Sequence, residues 1–403
     1  MKIRFGLCLL LFFISSLPTH AVEPIIIDLS LQYNGVFWTT GDFVISSNTI
    51  VQNGVIKING LSDSVVLKGE NLVLRNVTID SRKTTSTSKG IIELQNTNRA
   101  VIQDVIIDGE NQRRAIYCNT SANDTSITNV DVVGKIAWGI LFDDMDNDTR
   151  AVVNGYNYPI GSGLYITNYK FGHENSTGAG DAIEINCPRY RFKNIRVNGA
   201  LVRRTNRAGE NGLGIAFAQC SDVEVRNVEV YNTGHDGIHF EHSYDCFVEN
   251  FTIVGSWRAI GVSHSKNVTV REGTVTNTGA WVISYNTVVN AIPMQNSTFE
   301  NIVFDGCYNN GFLVSNAENL MFRNLTLKNY NASQNYGVIH FYNQSIGSVY
   351  DSTIEDVQIL RDQGVNNPLA AICVEGGGTG NRIKGITSVG YEKKLIIDGN
   401  DFY

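Results

Sequence analysis

Every 22 to 39 residues the chain returns to one short phrase, an Asn or an acidic residue followed by an apolar strand. It stands at Asn76 in RNVTID, Asp104 in QDVIID, Asn129 in TNVDVV, Asn168 in TNYKF, Asn194 in KNIRVN and Asn227 in RNVEVY. It continues at Asn250 in ENFTIV, Glu272 in REGTV, Asn301 in ENIVF, Asn324 in RNLTL and Asp356 in EDVQIL. A recurrence of this length marks a solenoid, in which each unit covers the apolar face of its neighbour.

Between these phrases lies a second recurring strand, small-apolar-x-apolar: AIYC at 115, GILF at 139, AIEI at 182, GIAF at 214, GIHF at 237, AIGV at 259, VISY at 282 and GFLV at 311. Each unit thus holds at least two short alternating strands with Gly, Asn, Asp and Ser between them, and no helix-period pattern competes. The unit is a β-coil, and the chain has room for about eleven to twelve of them. Asn suits the turns because it tolerates the left-handed conformation and its amide can bond to the amide of the next coil. Only six prolines in 403 residues agree with continuous strand pairing, because each Pro removes a ladder donor.

The first 21 residues carry Lys2 and Arg4, an apolar run from Phe5 to Ile14 and a Thr-His-Ala exit. This reads as a secretory signal peptide cleaved after Ala21, leaving residues 22–403 as one domain with no membrane anchor, either secreted or periplasmic. Cys118, Cys187, Cys220, Cys246, Cys307 and Cys373 remain. They are spread along the coils, so they read either as disulfide partners in an oxidising compartment or as buried core thiols. The net charge of −7 has no basic run, which argues against a nucleic-acid partner.

The paired strands and Asn turns, clearest in NGLGIAFAQCSDVEVRNVEVYNTGHDGIHFEH at 211–242, resemble the right-handed parallel β-helix of the pectin-lyase-like superfamily over roughly residues 25–400. The resemblance implies an all-β chain acting on a polysaccharide, as a hydrolase, lyase or uronan epimerase, with its site on the outer face of one sheet. GDAIEI at 180–185 and GHDGI at 234–238 are similar to two strands of polygalacturonase-type hydrolases, but Ala182 replaces a second aspartate and Asp236 interrupts the His-Gly pair. NRIK at 381–384 lies too late in the chain to join them, and the epimerase Asp-Pro-His-Asp motif is absent. The resemblance therefore carries a superfamily and not an activity.

Aligning the coils on Ile183, Ile215, Ile238, Ile260 and Ile283 as an inward column turns Glu184, Ala216, His239, Gly261 and Ser284 outward. Two residues on, the outward column reads Asn186, Ala218, Glu241, Ser263 and Asn286. Ala216 and Ala218 then form a groove floor between walls of Glu184 and of His239 with Glu241. Coils stack about 4.8 Å apart, so Glu184 and His239 stand roughly 9.6 Å apart along the stack, as do Asp181 and Asp236. The last pair is near the upper limit for an inverting acid and base. Strict alternation would turn both aspartates inward, and each reads as readily as a turn residue bonding backbone amides.

Asp181, Glu184, Asp236, His239 and Glu241 are the catalytic candidates. Four of the seven histidines, His235, His239, His242 and His264, fall in 30 residues, and a His beside a carboxylate is a candidate base. Arg207 and Arg258 are candidates for neutralising a uronate carboxylate, with solvated turn cations as the plain alternative. Trp138 and Trp281, aligned with Asp181 and Asp236, are candidate stacking platforms for sugars at the groove ends, with packing on the core as the alternative. His264 completes the binding set. The longest insertion, 143–180, carries Asp144, Asp146 and Asp148 in DDMDNDTR, the first half of a calcium loop without its Gly and closing Glu. It is a weak metal candidate, and no other cofactor is called for.

The carboxylates lean toward hydrolysis, and the histidines with Arg258 and Arg207 toward β-elimination. Without an intact catalytic motif, a non-catalytic glycan-binding or adhesin β-helix stands as the other class.

Overall fold

The computed structural model describes residues 23–82, 89–109, 114–142, 161–172, 180–186, 192–203, 212–284, 293–330, 337–342, 347–361, 370–375, 378–391, 395–397 and 400–402. The leader, the Asp144, Asp146 and Asp148 run, Arg207, Cys187 and Asn286 lie outside them.

The chain winds into an all-β solenoid of about 11 turns. The described residues hold one short helix, Leu29–Gln32, whose first turn is capped by Asp28 accepting from Ser30 N at 3.1 Å. Strand pairing is parallel from coil to coil, apart from the antiparallel pair Leu395–Ile397 with Asn400–Phe402. None of the described helices is long and apolar enough to cross a membrane.

The inward column starts with Val65, Ile92, Ile116 and Ile140, runs through Ile183, Ile215, Ile238 and Ile260, and continues with Val282, Phe312, Ile339 and Ile372, each in register with the next. All are buried, and each such side chain contributes about 1.5–3 kcal/mol through loss of apolar surface to water. One expected partner differs. Ile260 pairs with Val282 and not Ile283, so Ser284 falls in the inward column, paired with Val314, and Ile283 faces outward. The reason is Trp281, which occupies the place taken by Gly139, Ala182, Gly214, Gly237 and Ala259 in earlier coils and so hides the phrase.

All eleven phrase residues adopt positive φ, from 49° at Asn324 to 57° at Asn194. Their amides form the expected ladder: Asn76 bonds Asn53 at 2.8 Å, Asn129 bonds Asp104 at 2.8 Å, Asn250 bonds Asn227 at 2.5 Å and Asn324 bonds Asn301 at 2.7 Å. There are two such ladders. By strand register Asn194 belongs to the second one, with Asp222, Asp245 and Asn267.

Within 143–180, the described residues 161–172 are ordinary coil strands, paired with Thr125–Gly134 on one side and Phe192–Asn198 and Leu201–Arg203 on the other. The 143–180 stretch is therefore not a single insertion. Cys118, Cys220, Cys246, Cys307 and Cys373 are all buried, as the core reading of these five residues expects.

Candidate functional site

The register places Glu184, Ala216, His239, Gly261 and Ile283 side by side on the outer face of one sheet, with Asn186, Ala218, Glu241 and Ser263 beside them. Asp236 joins His239 on this face because alternation breaks once. A Cβ on Gly237 would press on Ile253 Cγ2 at 2.8 Å, so Gly237 and Ile238 both turn to the core and Asp236 returns to the outer side.

Asp236 is fully buried and is the hub of the cluster. Its Oδ2 lies 2.6 Å from His239 Nδ1 and accepts from Arg258 Nη2 at 3.1 Å, while Arg258 Nε donates to Oδ1 and His235 Nδ1 stands 3.3 Å away. Arg258 reaches it directly from the next coil, where it is the register partner of Asp236. Burial alone would raise the Asp236 pKa, but hydrogen bonds from His235 and His239 and the charges of His239 and Arg258 outweigh burial and hold it far below the usual range.

His239 shows the converse. Burial opposes its charge, yet the bond to Asp236 and the nearby Glu241 carboxylate prevail and raise its pKa to about 9. Its Nε2 lies 3.8 Å from Glu241 Oε2. Glu241, 48% exposed, is held below its ordinary pKa chiefly by the neighbouring His239 ring. At neutral pH the arrangement is a protonated imidazole between a buried carboxylate and an open one. Gly261 makes room for it, because a Cβ there would stand 2.6 Å from His239 Nδ1 and closer still to Asp236 Oδ2.

The other candidates sit differently. Asp181 is buried and accepts from Leu213 N at 2.5 Å, the backbone-bonding turn role. Glu184 is partly exposed, two coils from His239 as expected. Ala216 is 4% exposed and Ala218 partly exposed, and His235 and Glu241 are the more open side chains of the cluster. Trp281 is fully buried against Phe304, Phe312 and Tyr330 and offers no face to a sugar; its neighbour Ala280 takes the column of Asp236. Trp138 keeps the predicted column, with Arg114 over its ring at 5.6 Å and Gly180 backing onto it from the following coil.

His264 is buried, with Nδ1 lacking a hydrogen-bond partner, and burial lowers its pKa. It stacks on His242, centroids 4.3 Å apart and planes within 11°. Glu241, His242 and His264 bring ligand atoms within 4.8 Å of one another. Nearly parallel rings direct their in-plane lone pairs side by side and not to one point, which suits stacking better than shared coordination. Sequence reasoning paired Arg258 with substrate and missed its bond to Asp236, although their shared column was a usable signal.

Residues 213–402 match the family model described as right handed beta helix region. No curated protein matches the sequence. Among solved structures, the Dettilon tailspike protein shares 11% identity with a TM-score of 0.52, covering 93% of this chain and 62% of the tailspike. The Yersinia enterocolitica family 28 exopolygalacturonase shares 11% identity with a TM-score of 0.50, covering 95% of this chain and 80% of that enzyme. The chain thus spans less than two thirds of the tailspike it matches. Identities this low speak for architecture alone, and on that ground the chain is a right-handed parallel β-helix protein.

Proposed function

We propose that this β-helix cleaves a polysaccharide by hydrolysis, with Glu241 as the base that activates water and Glu184, two coils away, as the second carboxylate. The observation that carries the reading is the state of His239. A ring protonated up to about pH 9 is a poor base for carbon-proton abstraction at neutral pH but a good partner for keeping Glu241 ionised. Asp236 and Arg258 act through it as positioning residues, as their burial and mutual bonds suggest. The exopolygalacturonase that shares the architecture supports an acidic glycan as substrate class.

The test is to incubate the protein with a panel of uronic-acid polysaccharides at pH 7. New reducing ends without an ultraviolet-absorbing unsaturated product are expected. An unsaturated product would mean elimination with a neutral His239, and the hydrolytic roles would fall. A second reading, a non-catalytic glycan-binding helix, draws on the burial of Ala216; retention on glycans with no cleavage after long incubation would select it.

A further inference from the structure

The outward column that carries His239 runs on through Gly261, Ile283 and Leu313 to His340 and Cys373, which are register partners on adjacent coils. Both are almost wholly buried, at 1% and 2% exposure. Glu375, two residues beyond Cys373 and so on the same side of its strand, is held by its N–H donating to Phe341 O at 2.9 Å. Its Oε1 lies 3.0 Å from His340 Nε2. The imidazole nitrogen, the thiol sulfur and the carboxylate oxygen all lie within 4.8 Å of one another. Gly337 leaves the space, since a Cβ there would stand 2.9 Å from Cys373 Cβ.

We propose that His340, Cys373 and Glu375 form a three-ligand site for a zinc-class divalent transition ion, with a fourth position left to water or a small ligand. The donor set selects the ion. A thiolate with an imidazole suits zinc, whereas calcium and magnesium take oxygen ligands throughout. The spacing fits as well: metal bonds of about 2.0–2.1 Å to nitrogen and oxygen place two tetrahedral ligands about 3.3 Å apart, close to the observed 3.0 Å between His340 and Glu375. The longer zinc–sulfur bond, about 2.3 Å, allows Cys373 to complete the set with small movements. Glu375, with its side chain 40% exposed, provides the way in for the ion. Four coil steps, roughly 19 Å, separate His340 from His239, so the site stands apart from the hydrolytic reading.

The test titrates chelator-treated protein with Zn2+ and, separately, with Co2+ as a spectroscopic substitute. We expect one equivalent of Co2+ to give tetrahedral d–d bands together with a thiolate-to-cobalt charge-transfer band, and Zn2+ to bleach both. Cys373→Ser should remove the charge-transfer band, and Glu375→Gln should weaken binding at least tenfold. Glu375 is partly exposed, so its variant is expected to fold and keeps the question decidable if the Cys373 variant does not. Absence of the thiolate band from the parent protein would overturn the proposal. So would Zn2+ binding unchanged in Glu375→Gln, which would assign the ion to other ligands.

Discussion

Gly261→Ala tests the charge cluster without altering any ionisable group. The added methyl would stand 2.6 Å from His239 Nδ1 and closer still to Asp236 Oδ2, below any ordinary contact, and Asp236 is fully buried. The hydrogen bond between Asp236 and His239 must therefore open. The His239 pKa of about 9, against an ordinary 6.5, amounts to roughly 3 kcal/mol of preference for the charged ring. The folded value lies above the unfolded one, so this stabilisation is complete below about pH 6.5 and is lost as pH rises through about 9. Parent protein should lose thermal stability across that interval. The variant should lack most of the slope, and overpacking should cost it a further ~1–3 kcal/mol at every pH. Thermal melts from pH 6 to 10, with an NMR titration of the His239 ring, read both effects. If the ring still titrates near 9 in Gly261→Ala and the pH slope persists, Asp236 is not what charges it.

Substitutions at three further positions probe the core, the turn ladder and the outer face. Ile238→Asp puts an unpaired charge into the fully buried inward column and should cost more than about 4 kcal/mol, seen as collapse of soluble yield or a sharply lowered melting temperature. Asn250→Ala keeps a left-handed residue at φ 54° without an amide to bond Asn227, for a loss of about 1–2 kcal/mol in denaturant melts, while Asn250→Gly should recover the backbone part. Glu241→Gln should lower turnover about 10²-fold on any cleaved glycan in protein that remains folded, and full activity would place the base elsewhere.

The repeat was legible because period-two alternation and left-handed Asn turns are local properties, and four of the five aliphatic residues expected in the inward column are register partners. The alignment slipped at Ile283 because Trp281 fills a position that Gly or Ala holds in neighbouring coils, and packing against Phe304, Phe312 and Tyr330 cannot be read from one strand. The shared outward column of Glu184 and His239, with Glu241 two residues on, was legible from alternation. The role of Asp236 was obscured, since it depends on a bend at Gly237 that breaks the alternation used to assign faces. The bond from Arg258 and the space left by Gly261 belong to the stacking of coils and appear only once the register is fixed. The His340, Cys373 and Glu375 group went unread for a similar reason, as 33 residues of sequence separate two side chains that are neighbours in space.

The turn ladders also bear on how such a chain acquires its structure. Their bonds join residues only 22 to 39 positions apart, so each coil needs little more than the next stretch of chain to close. In a linear array, growth can proceed outward from whichever coil forms first. The long solenoid should therefore assemble progressively, in the manner of a zip, with its slowest step set by the first two coils and not by its total length.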